Sequence, residues 1–85
     1  MPVVSRFFGI VVTMYYNDHD PPHFHAWYQG AEGTVEILTG EVRGSLPHRA
    51  ISLLQEWRIG PLPELMANCE RARERRPLEP IPPLE

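Results

Sequence analysis

The chain contains no lysine, a single cysteine and no long apolar run, and each shortage removes a class of function. All eight cations are arginine, so neither a Schiff-base nor a lysine-nucleophile mechanism is open to it. Cys69 stands alone, which excludes an internal disulfide and fits a reducing compartment. The longest apolar stretch, Phe7 to Val12, is far short of the ~20 residues that a membrane-spanning helix needs. No charged, then apolar, then small-residue signal pattern opens the chain, and the expectation is a cytoplasmic protein. A formal net charge of -3 supplies no global basic field for nucleic acid or an anionic membrane surface.

What is present suffices for one small core. Apolar residues make up 42% of the 85 positions and charged residues 22%, the balance of a folded globular chain. That length leaves no room for a second domain. We therefore expect residues 1–76 to form a single α+β domain, followed by a proline-rich tail at 77–85. Four prolines in those nine residues forbid regular helix or sheet, and the tail is expected to be polyproline-like or disordered.

Aromatic and β-branched residues from Arg6 to Tyr16 predict a first strand, apolar on both faces, in which Gly9 marks a bulge or a close contact. Asn17 to Pro22 reads as a stiff loop, because Asn, Asp and paired prolines favour turns and Pro removes backbone donors. His23 to Gln29 is the second strand. Gly30-Ala31-Glu32-Gly33 would then turn the chain into a third strand at Thr34 to Thr39, with a short fourth at Glu41 to Arg43. Pro47 opens a helix whose stripe is Ala50, Ile51, Leu54 and Trp57, and Gly60-Pro61 ends it. A second helix from Pro63 turns Leu65, Met66, Cys69 and Ala72 inward and fades near Arg76. The fold class is thus α+β, a three- to four-stranded, mainly antiparallel sheet covered on one face by two C-terminal helices.

Chemistry concentrates around the double proline, where His19, His23 and His25 fall within seven positions. His23 and His25 are two apart on a strand, so both imidazoles leave the same face, with Trp27 next along it. With His19 and Asp18 or Asp20 they make a candidate site for a divalent transition metal such as zinc. The leading alternative needs no ion: imidazole nitrogens hydrogen-bond the loop and fix Pro21-Pro22 against the sheet. Acid–base or anion-binding work by a histidine is the third reading. No nucleophile elbow surrounds Ser5, Ser45 or Ser52, there is no HExxH, and Cys69 faces inward, all of which argues against covalent catalysis. Arg71 and Arg75 share a helix face at four-residue spacing and are candidate anion contacts, although the interleaved Glu70 and Glu74 weigh against nucleic acid. Trp27 and the histidine face are candidate partner contacts, for a small protein or a second copy.

Several of these segments occur together: Ser5-Arg6-Phe7-Phe8-Gly9-Ile10, Met14-Tyr15-Tyr16-Asn17-Asp18-His19, Pro21-Pro22-His23-Phe24-His25-Ala26, Thr39-Gly40-Glu41-Val42, Leu46-Pro47, Arg49-Ala50 and Glu56-Trp57. From Pro2 to Arg75 the chain resembles a family of small bacterial proteins of unknown function, with the motif N-D-H-x-P-P-H-F-H-A and a first helix opening L-P-x-R-A. The resemblance implies no activity and no catalytic residue. It does imply a second small protein, encoded alongside, as partner, in an arrangement similar to toxin–antitoxin or accessory regulatory pairs. Two departures stand out: Cys69 follows Asn68 where the family usually has tryptophan, and the linker from Ile59 to Pro63 is richer in helix breakers. The module reading and a metal-dependent hydrolase or nuclease using the histidine cluster both stay open.

Overall fold

The computed structural model describes residues 3–16 and 21–85. Five strands, β1 (Val3–Phe7), β2 (Ile10–Thr13), β3 (His23–Tyr28), β4 (Ala31–Glu36) and β5 (Val42–Gly44), precede two helices, α1 (His48–Ile59) and α2 (Leu62–Arg73). Every strand pairs antiparallel with its neighbour in the chain, giving the order β1-β2-β3-β4-β5. The fold is α+β as the pattern implies, with one strand more than the upper expectation.

The extra strand comes from the segment read as one strand from Arg6 to Tyr16. Its Gly9 is a turn residue. Phe8 and Gly9 have φ of 48° and 81°, and Phe7 pairs directly with Ile10, so the run folds back as a two-residue hairpin. Two positive φ values in a row match the twist of the flanking strands, the reason such turns connect tight hairpins. Periodicity missed this because both arms are apolar and the turn carries Phe instead of Asn or Asp. The β3–β4 hairpin turns the same way through Gln29 (φ 47°) and Gly30 (φ 82°), three residues earlier than the Gly33 end of the expected connection. Gln29→Asn is expected to stabilise the fold by about 0.5–1 kcal/mol, because Asn tolerates the left-handed region better. Thermal unfolding should show a midpoint raised by a few degrees.

Pairing fixes which residues share a face. On the inner face Ile10, Val12, Phe24, Ala26 and Val35 are buried, and α1 and α2 supply Ala50, Leu54, Trp57, Leu65 and Cys69 to the same core. The Trp57 ring centroid lies 5.2 Å from that of Phe7 and 5.5 Å from that of Phe24, the latter edge-on. Such pairs add to burial because ring edge and ring face carry opposite partial charge.

Helix boundaries follow the breakers. Pro47 is the N-cap of α1, Gly60-Pro61 makes the two-residue turn, and Pro63 sits in the first turn of α2 where a missing N–H costs nothing. Gln55 Nε2 donates to the Gly40 carbonyl at 2.6 Å and Arg58 Nη1 to that of Ile37 at 2.7 Å, which ties α1 to the β4–β5 connection. Residues 77–85 have neither helix nor strand, yet they lie against the domain. Ile81 is 4% exposed and its N–H donates to the Val4 carbonyl at 2.7 Å. Among the described residues no helix is long and apolar enough to cross a membrane.

Candidate functional site

The two helices leave the other face of the sheet without a helical layer, and β3 places its odd-numbered residues there. His23, His25 and Trp27 alternate with the buried Phe24 and Ala26. Opposite partners in an antiparallel ladder share a face. One row therefore runs across all five strands through Val3, Thr13, His25, Thr34 and Arg43, and a second through Arg6, Val11, Trp27 and Glu32, while His23 stands opposite Glu36.

The two imidazoles are close, with ring centroids 5.1 Å apart, and the Tyr15 ring stands nearly perpendicular to that of His25 with centroids 4.4 Å apart. His23 Nδ1 lies 2.7 Å from the Pro21 carbonyl. A carbonyl only accepts, so Nδ1 carries the proton, and any metal held by this ring would be bound through Nε2. The Ile37 N–H donates to the Pro22 carbonyl at 3.0 Å, so the Pro-Pro segment is held from β3 and from the residue that follows β4.

Around these rings Pro21, His23, His25, Thr34, Glu36, Glu41 and Arg43 line a depression of about 190 Å³. The Glu36 carboxylate accepts from the Thr39 hydroxyl, and Thr39 Oγ1 accepts the Glu41 N–H at 3.1 Å, which shapes the β4–β5 connection beneath the pocket. Arg43 reaches Glu41 at 3.4 Å, but both side chains are more than half exposed and water screens the pair. On the same face two buried polar atoms, Thr13 Oγ1 and Trp27 Nε1, have no hydrogen-bond partner among the described residues. Buried donors normally find one.

Of the residues marked in the sequence, the fold brings His23, His25 and Trp27 onto one surface. His19, Asp18 and Asp20 lie outside the described residues. Among the described residues no group of three or more His, Cys, Asp and Glu has the arrangement to hold a metal ion. Arg71 and Arg75 lie elsewhere: Arg71 Nη1 donates to Asn68 Oδ1 at 2.7 Å, while Arg75 falls beyond the end of α2 with φ of 57°. Sequence reasoning missed Thr34, Glu36, Glu41 and Arg43, although polar side chains at 34 and 36, two apart on a strand, were the available signal.

A meander sheet with helices on one face and a row of imidazole and indole on the other defines a small α+β domain with an open, polar sheet surface. The chain belongs to the family described as Domain of unknown function (DUF4160), whose model matches residues 9–70, a span that takes in the histidines, α1 and most of α2. No curated protein and no solved structure matches the chain.

Proposed function

We propose that this chain is a cytoplasmic binding or regulatory module that engages a small protein partner through the open sheet face carrying His23, His25 and Trp27. The observation that supports it most directly is the buried Trp27 Nε1, which has no hydrogen-bond partner among the described residues, on a face where β3 also presents two neighbouring imidazoles. A donor unsatisfied among the described residues, next to polar groups of both signs, is suited to a partner that brings a carbonyl or carboxylate. The resemblance read from the motif points to a small protein encoded alongside, as in toxin–antitoxin or accessory pairs.

Mixing the purified chain with that neighbouring protein, and following association by calorimetry, is the test. Trp27→Ala and His25→Ala are expected to weaken binding by about ten-fold or more each, as central interface residues do, with the unfolding transition of the free chain retained. Absence of any association between the two wild-type proteins sinks the proposal.

The second reading, a metal-dependent hydrolase or nuclease, draws on the 5.1 Å approach of His23 and His25. It requires stoichiometric transition metal in protein purified without a histidine tag, lost on His23→Ala. Elemental analysis that finds none, together with a thermal midpoint unmoved by added zinc, removes it.

A further inference from the structure

The tail is held by contacts that read a peptide backbone. Asn68 is fully buried on α2, and its side-chain amide clasps Glu79 twice: Nδ2 donates to the Glu79 carbonyl at 2.9 Å and Oδ1 accepts the Glu79 N–H at 3.0 Å. Arg71 donates to the same Oδ1 and fixes which end of the amide is oxygen. Two residues on, the Ile81 N–H reaches the Val4 carbonyl of edge strand β1, and Trp57 Nε1 donates to the Pro82 carbonyl at 2.9 Å. All four bonds from residues 79–82 use main-chain groups, so the tail's side chains are read chiefly at Ile81, sunk in the core, with Leu78 and Leu84 half-buried against it. Extended proline-flanked segments suit such a groove because their backbone is already straight.

Open space remains beside the resident segment. Empty space of about 410 Å³ remains where Pro82, Pro83 and Leu84 pass the α1–α2 turn. Another 250 Å³ or so lies between Glu79–Ile81 and α2. Glu56 and Glu64 line the larger space with no cation among its walls, and the next residue after Leu84, which also lines it, is the acidic Glu85. The return of the chain from α2 also places Arg75, a residue with a Cβ, at φ 57°. Trp57 and Asn68 lie within the residues matched by the family model, while segment 77–85 lies outside them.

We propose that the groove between α1, α2 and β1 is a receptor for an extended segment of a partner protein, with an aliphatic anchor between prolines followed by basic residues. The chain's own tail is its displaceable, charge-mismatched occupant. The partner inserts its aliphatic side chain at the Ile81 position and sets Arg or Lys against Glu56 and Glu64. The tail competes from the same molecule at the high effective concentration that tethering gives.

Two labelled synthetic peptides test this against the full-length chain: one copying residues 78–85, the other carrying Pro83→Arg and Glu85→Arg. Ile81→Asp in the protein expels the tail, and both peptides should then bind about ten-fold or more tighter than they bind wild type. The basic peptide should be favoured about ten-fold, a preference abolished by Glu56→Gln with Glu64→Gln. Adding Asn68→Ala to Ile81→Asp should weaken both. If Ile81→Asp unfolds the chain, recovery of the far-ultraviolet circular dichroism on adding peptide supports the proposal and failure to recover overturns it. Equal binding to wild type and Ile81→Asp, or a basic preference that survives loss of both glutamates, also overturns it.

Discussion

Trp57→Ala is expected to remove about 3–5 kcal/mol of unfolding free energy, a large part of the roughly 5–15 kcal/mol that a small domain possesses. The indole is 2% exposed and packs on both Phe7 and Phe24, so truncation leaves a cavity bounded by a strand from each end of the β1–β3 meander. Helix α1 cannot collapse into it, because Gln55 and Arg58 hold the same stretch of helix to carbonyls of the β4–β5 connection. Trp57→Phe separates packing from hydrogen bonding. It retains an aromatic ring but loses the N–H that Pro82 accepts, and is expected to cost about 1 kcal/mol plus a smaller packing loss. Urea titrations followed by far-ultraviolet circular dichroism measure both. A Trp57→Ala transition within about 1 kcal/mol of wild type would contradict the core described here.

The second large effect lies at the opposite edge of the sheet, where Gly33 and Gly44 face each other across β4 and β5. Gly44 has φ of 110°, and a Cβ there would lie 2.7 Å from both the Glu32 carbonyl oxygen and the Gly33 Cα. That carbonyl accepts the Ser45 N–H at 3.0 Å, so it cannot retreat without breaking the bond that closes β5. Gly44→Ala is accordingly expected to destabilise by about 2–3 kcal/mol, from backbone strain and collision together. Gly30→Ala is the control. Its φ of 82° is also positive but lies nearer the left-handed region open to L-residues, nothing lies within 4 Å of its Cβ position, and the expected cost is only about 1 kcal/mol. The difference between the two unfolding free energies, with hydrogen exchange at Val42 and Arg43 faster in Gly44→Ala, measures the added cost of close approach and of the larger φ at Gly44.

These sites mark where local pattern is informative and where it is not. The α1 stripe at Ala50, Leu54 and Trp57 was legible because helical spacing puts those side chains on one side whatever they pack against. The common face of His23, His25 and Trp27 was legible for the same reason, strand geometry alternating with a period of two. Asn68 gave no such signal. A polar residue among Leu65, Cys69 and Ala72 looks like a helix surface position until a carbonyl and an N–H eleven residues away are brought to it.

The sequence by itself determined most of the elements and their order: two helices punctuated by Gly60-Pro61, hairpin pairing after the double proline, and imidazoles projecting together. Each depends on one residue's conformational preference or on spacing within a single element. Tertiary structure decided that Phe8-Gly9 reverses the first apolar run, that Gly33 and Gly44 admit one another's backbones, that Glu36 and Arg43 border the histidines, and that the tail lies against Asn68 and Trp57. Those outcomes depend on which main-chain donor meets which acceptor across the sheet or from helix to tail. Such pairings carry no periodicity and exist only once the layers are packed.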